Sequence, residues 1–240
     1  MLIRYIERMK WRSTYLTDFI ALMFPQLCQA CGTSLFAGEQ VICTECHYDL
    51  PYTNFHQRPD NAAARQFWGR LQLNAVYVML HFVKGGMVQN MVHRLKYRNS
   101  PKIGNKLGEL AGKQLAEADN YRDIDLIIPV PLHPRKLKQR GYNQSAKFAE
   151  GLALKLNKPV DVVNLYRLKH TGTQTLKSRF SRYENMKDVF DVLDTETLAG
   201  KHILLVDDII TTGSTIEACA QALLKIPGVK ISVAAIAYAE

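Results

Sequence analysis

Residues 201–225, KHILLVDDIITTGSTIEACAQALLK, run from an apolar stretch through two adjacent acids and a cluster of hydroxyl residues around one glycine into a helical pattern. A short apolar run bounded by polar residues is a strand buried on both faces, and such strands belong to parallel sheets covered by helices. The rest of the chain repeats the alternation. AVYVMLHF (75–82), DLIIPV (125–130), DVVNLYRLK (161–169), KHILLVD (201–207) and VKISVAAIAYA (229–239) read as strands. Residues 87–95, 103–118, 143–156 and 215–225 read as helices. Strands alternating with helices imply an α/β fold with a mostly parallel sheet flanked by helices.

In open α/β sheets, ligands bind beyond the carboxyl ends of the strands. Asp207 and Asp208 stand there, and two adjacent acids at such a place are costly unless a cation or a ligand's hydroxyls compensate them. Neighbouring strand residues point to opposite faces, so the two acids need not share one partner. Thr211, Thr212, Ser214 and Thr215 then offer hydroxyls. Gly213 lets the backbone curl and a ligand approach closely. The free N–H groups at a helix start bind anions. Acids for sugar hydroxyls or a metal, followed by a phosphate cradle, describe a ribose 5-phosphate site. The bland reading is a capped helix with solvated acids, but one capping residue would suffice for that. The string is neither a Walker P-loop nor G-x-G-x-x-G.

Upstream, Cys28-x2-Cys31 and Cys43-x2-Cys46 are separated by eleven residues. Two such knuckles supply four thiolates at tetrahedral angles, which is the pattern of a structural zinc site. Binding is worth on the order of 10 kcal/mol, enough to fold so small a module. CTECH (43–47) also spells a haem-attachment string, which leaves Cys28 and Cys31 unexplained and requires export. Disulfides are disfavoured in a reducing compartment. His47 is an alternative ligand to Cys46, and Cys219 reads as core.

The 240 residues carry a net charge of +9, concentrated in HPRKLKQRGYNQSAK (133–147) and HRLKYRNSPK (93–102), which hold no acid. Such runs face phosphates or form a solvated surface. No apolar run is long enough to span a bilayer, and the N-terminus lacks the pattern of a signal peptide, so the expected location is cytoplasmic. Residues 1–24 read as an amphipathic helix, 25–52 as the cysteine module and 53–74 as a connector without a clear period. Residues 75–240 read as the α/β domain.

ILLVDDIITTGST (203–215) resembles the 5-phosphoribosyl diphosphate (PRPP) motif of type I phosphoribosyltransferases. Together with the cysteine module, PVPLHPRKLKQRGYNQ (129–144), LKYR (95–98), TGTQTLKSR (171–179) and RYENMKDVF (182–190), the chain resembles the ComF family, which includes ComFC- and GntX-like proteins. The resemblance implies that Asp207 and Asp208 take the ribose hydroxyls, directly or through Mg²⁺. It implies that Thr211, Thr212, Gly213, Ser214 and Thr215 hold the 5-phosphate. Arg135, Lys136 and Arg140, on the loop after DLIIPVP, would face the diphosphate. Arg179, Arg182 and Asn185 are candidates for a lid. The family's link to natural transformation and single-stranded DNA uptake comes from the resemblance alone.

Three functions follow. A PRPP- or nucleotide-binding protein would serve DNA handling, with basic runs on the DNA backbone and Tyr97 or Tyr142 stacking on bases. An active phosphoribosyltransferase would displace diphosphate from PRPP with an unidentified base or amine, mostly by positioning and electrostatics. An adaptor would dock a partner, such as a competence or DNA-handling protein, through its zinc module, with PRPP as effector.

Overall fold

The computed structural model of the chain describes residues 23–168 and 189–239. The N-terminal helix expected over residues 1–24 therefore lies almost wholly outside them. The chain divides into two compact units, 1–49 and 50–240.

In the first unit, Gly32 N–H donates to Cys28 O at 2.9 Å and Cys28 N–H donates to Thr33 O at 2.8 Å. Gly32 has φ +84°, a left-handed backbone that closes the first knuckle tightly. The second pair of cysteines leads into helix α1, Thr44–Asp49. Cys28, Cys43 and Cys46 are buried and Cys31 is exposed.

The second unit is built on a four-stranded sheet ordered β1-β6-β5-β2, with every neighbouring pair parallel. The strands are β1 (Ala75–His81), β2 (Leu126–Pro129), β5 (His202–Ile210) and β6 (Lys230–Tyr238). Between them run α3 (Met87–Tyr97), α4 (Pro101–Ala116), α6 (Gln144–Leu156) and α7 (Ser214–Leu223). Ile203, Leu205, Val233 and Ala235 of the central strands join Ile216, Cys219 and Leu223 of α7 in one hydrophobic core. On another side, α4 and α6 pack backbone to backbone through Gly108 and Gly151. A Cβ on Gly151 would stand 2.1 Å from Asn105 O, and one on Gly108 would stand 2.2 Å from Phe148 O.

Three segments depart from the sequence reading. Residues 161–168, the described part of the run expected as a strand over 161–169, do not join the parallel sheet as one strand. Asp161 Oδ1 accepts from the N–H groups of Val163 and Asn164 at 2.8 and 2.9 Å, folding the start of the run into a turn. Only β3 (Leu165–Arg167) remains extended, and it pairs antiparallel with β4 (Phe190–Val192) in a separate two-stranded sheet. Residues 134–140, expected as loop, form helix α5, with Pro134 in its first turn and Gly141 ending it at φ +79°. Residues 53–74 show no sequence period, yet they hold helix α2 (Ala62–Arg65). They are anchored by the buried Asn61, whose side chain accepts from Ala64 N–H at 2.9 Å and donates to Val76 O at 2.7 Å.

Candidate functional site

Strand β5 runs past the acids rather than ending at Asp207. Asp207 is opposite Ala235 in the ladder, and Ile209 and Ile210 are opposite Ala237 and Tyr238. The long partner strand β6 supplies backbone partners for three residues beyond the apolar run, which apolar content alone does not reveal. The acids therefore sit in a rigid strand.

Each acid has its own partner. Ser145 Oγ, on the first turn of α6, donates to Asp207 Oδ1 at 3.0 Å, and Asp208 N–H donates to the same oxygen at 2.8 Å. Asp208 Oδ2 pairs with Lys96 Nζ, from the last turn of α3, at 3.0 Å. Burial, followed by the neighbouring Asp208 carboxylate, pushes the Asp207 carboxyl up to about 7, against the lowering pull of its hydrogen bonds and of Lys96.

Beyond β5 the chain turns at Gly213, which has φ +72° and precedes α7 without a side-chain cap. Thr212 Oγ1 and Ser214 Oγ lie 2.8 Å apart. Asp207, Thr211, Thr212, Gly213, Ser214 and Thr215 line one open cavity with Ile209, Ile210 and Ile216. The first turn of α7 presents its N–H groups at this end of the helix, with Ser214 N–H 3.5 Å from Thr212 Oγ1.

The cradle is braced by the segment that shows no sequence period. Gln66 Nε2 donates to Thr211 O at 2.5 Å, and Arg70 Nη1 pairs with Glu217 Oε2 at 2.8 Å. The ring of Phe67, which is buried, lies where a side chain on Gly213 would go. Residue type gives no warning of Gln66, Phe67, Arg70 or Ser145. Lys96 is visible in the basic run 93–102 and in LKYR (95–98), with nothing to mark its partner.

The basic residues divide. Arg140 Nη1 donates to Oε1 of the buried Gln144 at 2.7 Å, and its guanidinium lies 5.3 Å from the Tyr97 ring centroid. Arg140 is thus tied to the residue before Ser145 and stacked on the residue after Lys96. Arg135 and Lys136 lie exposed on α5, outside the cavity lining. Arg179, Arg182 and Asn185 lie outside the described residues. Tyr142 donates its hydroxyl to Leu95 O, which ties it into the fold, whereas Tyr97 is 60% exposed.

In the first unit, the Sγ atoms of Cys28, Cys31, Cys43 and Cys46 all lie within 4.8 Å of one another, a set that could hold a metal ion. Hydrogen bonds from the Thr33 hydroxyl and backbone hold the Cys31 thiol down to about 6. Among the described residues, no helix is long and apolar enough to cross a membrane.

Residues 143–240 match the family model for a phosphoribosyl transferase domain. The chain is 29% identical over 226 residues to DNA utilization protein YhgH of Shigella flexneri, covering 85% of this chain and 93% of that one. It is 28% identical over 222 residues to competence protein F of Haemophilus influenzae, covering 89% and 90%. It is also 28% identical over 140 residues to competence protein ComFC of Bacillus subtilis, covering 58% and 54%. With a phosphoribosyl transferase domain match following a four-cysteine module in the sequence, the chain is similar to the YhgH, competence protein F and ComFC proteins.

Proposed function

We propose that the cavity at the end of β5 binds the phosphoribosyl part of PRPP or of a nucleotide, and that the chain uses this ligand in handling single-stranded DNA during DNA uptake, in the cytoplasm. One observation carries the ligand reading: a single cavity gathers Asp207 and every residue from Thr211 to Thr215 at the start of α7. Hydroxyls and helix-terminal N–H groups suit a phosphate, and the carboxylates of Asp207, in the cavity lining, and of the adjacent Asp208 suit ribose hydroxyls.

Mg²⁺ fits this donor set, since hard carboxylate and hydroxyl oxygens are its ordinary ligands. Asp207 and Asp208 would hold it with the ligand, and it would supply positive charge against the diphosphate. Arg140, which contacts Gln144 and Tyr97, would add a second positive group, and Arg135 and Lys136 would contribute further positive charge toward the diphosphate. Arg179, Arg182 and Asn185 remain candidates for a lid over the same ligand. Zinc is the metal that fits the four thiolates of the first unit, with no open position for catalysis.

The DNA part rests on the names of the relatives, which concern DNA utilization and competence, and on the basic runs. Tyr97, exposed beside a guanidinium, suits base stacking; Tyr142, with its hydroxyl engaged inside the fold, does not. A second reading, an active phosphoribosyltransferase, is favoured by the acids and cradle both being present. In that case diphosphate would leave the anomeric carbon as a base or amine attacks it.

The test is the shift in thermal unfolding on adding PRPP, for wild type and for Thr212→Ala/Ser214→Ala. A ligand at one hundred times its Kd stabilises by about 2.7 kcal/mol. The proposal expects a concentration-dependent rise for wild type and a much smaller one for the variant. Equal shifts would place PRPP elsewhere. Fluorescence anisotropy with a labelled oligonucleotide tests the DNA part, whose affinity should fall steeply with salt.

A further inference from the structure

Lys96 and Asp208 form the one ion pair among the described residues in which a member of the acid pair takes part. Its geometry differs from that of an incidental surface pair. The two groups come from different elements, the last turn of α3 and the C-terminal third of β5, and the side chains are only 20% and 14% exposed. A strand and a helix end held by the core bring them to 3.0 Å, so little side-chain freedom is lost in making the contact. The low exposure also limits screening by salt.

The surroundings show why a cation stands here. Ser145 satisfies Asp207 with a neutral donor, and Asp208 turns its own N–H to the same carboxylate. Neither contact brings positive charge. Without Lys96, two half-buried carboxylates adjacent in the strand would be left with hydroxyl and amide donors alone. With Lys96, the cluster carries one negative charge fewer, and Asp208 Oδ2 is already occupied. Lys96 is also fixed from its other side. The next residue, Tyr97, lies against Arg140, and Arg140 is bonded to Gln144, the neighbour of Ser145. The adjacent pairs Lys96–Tyr97 and Gln144–Ser145 thus join the acids and Arg140 into one assembly.

We propose that Lys96 is a further residue of this site, the resident counter-cation of Asp208, which a divalent cation must displace to reach that carboxylate. The inference rests on reading the acid pair as the ribose and cation end of the ligand site, and it deepens that reading. Lys96 sets the cation requirement. In the empty site it lowers the affinity of the acids for a free divalent ion, so the ion enters together with a ligand whose own negative charge draws Lys96 away. The pair thereby prevents the acids from trapping metal without ligand.

Mn²⁺, counted by electron paramagnetic resonance on the zinc-loaded full chain without PRPP, is the probe. Lys96→Gln removes the charge and leaves a hydrogen-bonding side chain, whereas Lys96→Arg keeps the charge. The expected result is Mn²⁺ affinity raised about ten-fold or more in Lys96→Gln, little change in Lys96→Arg, and loss of the gain in Lys96→Gln/Asp208→Asn. Circular dichroism and zinc content establish that each variant is folded. If Lys96→Gln does not fold, Lys96→Met takes its place. Equal Mn²⁺ affinity in folded wild type and Lys96→Gln, or no Mn²⁺ binding by either, overturns the proposal. PRPP binding by wild type, measured separately, shows whether the ligand reading itself stands. Wild type that binds PRPP while Lys96→Gln gains no Mn²⁺ affinity refutes the role of Lys96 alone.

Discussion

The ring of Phe67 fills the space in front of Gly213. A Cβ on that glycine would lie 2.6 Å from Phe67 Cε1 and 2.8 Å from Cζ, and the glycine itself has φ +72°. Two independent constraints, a left-handed backbone and a buried ring, therefore exclude a side chain at the centre of the cradle. Gly213→Ala should lower stability by about 1–3 kcal/mol through backbone strain and contact with the ring. It should also weaken phosphate binding by shifting the neighbouring hydroxyls. Phe67→Ala should cost about 3–5 kcal/mol, since it leaves a cavity in the core. Urea unfolding measures both, and the double variant should cost less than the sum because the two residues touch.

Gly151 is a test of helix packing away from the site. A Cβ there would stand 2.1 Å from Asn105 O, a backbone atom that cannot swing aside. Gly151→Ala should destabilise by about 2 kcal/mol or more, despite alanine's better helix propensity. A gain in stability would show that α4 and α6 pack less closely than described.

The raised Asp207 carboxyl makes stability depend on pH in a defined direction. Its folded value of about 7 lies above the ordinary carboxylate value of about 4, so the folded protein holds this proton more tightly than the unfolded chain. The stabilisation is complete below the unfolded value and is lost as pH rises through 7. Asp207→Asn removes the titration. The stability of wild type relative to Asp207→Asn should therefore fall by on the order of 2 kcal/mol between pH 5 and pH 8. A flat difference across that range would mean that Asp207 titrates as an ordinary surface acid.

Metal removal should separate the two units. The first is small, and it holds four cysteines with Sγ atoms within 4.8 Å of one another. Chelation should unfold it, because metal binding on the order of 10 kcal/mol is then withdrawn. The second unit should keep its far-ultraviolet circular dichroism, since its core of Ile203, Leu205, Val233 and Cys219 needs no metal. Cys28→Ser should reproduce the effect of the chelator. Zinc analysis and hydrogen exchange across both units check this.

The alternation of strands and helices and the cysteine spacing were legible because each has a strong local signal. β5, α7 and β6 follow from periodicity, and a cluster at Cys28, Cys31, Cys43 and Cys46 follows from two knuckles. Other parts depended on distant partners. β5 extends to Ile210 only because β6 continues beside it. The strand expected over 161–169 shrinks because Asp161 captures two backbone N–H groups. The braces on the cradle come from residues up to 147 positions away, as with Arg70 and Glu217, and no local pattern marks them. Lys96 shows the same limit: its charge is visible in the sequence, but the carboxylate it meets is set by the topology.

Isothermal titration of the full zinc-loaded chain with PRPP, with and without Mg²⁺, tests the central claim most directly, comparing wild type with Asp207→Asn/Asp208→Asn. Saturable binding that strengthens with Mg²⁺ and is lost in the folded double variant is the predicted result. No heat of binding from folded, zinc-loaded wild type would contradict the assignment of the β5 cavity to a phosphoribosyl ligand.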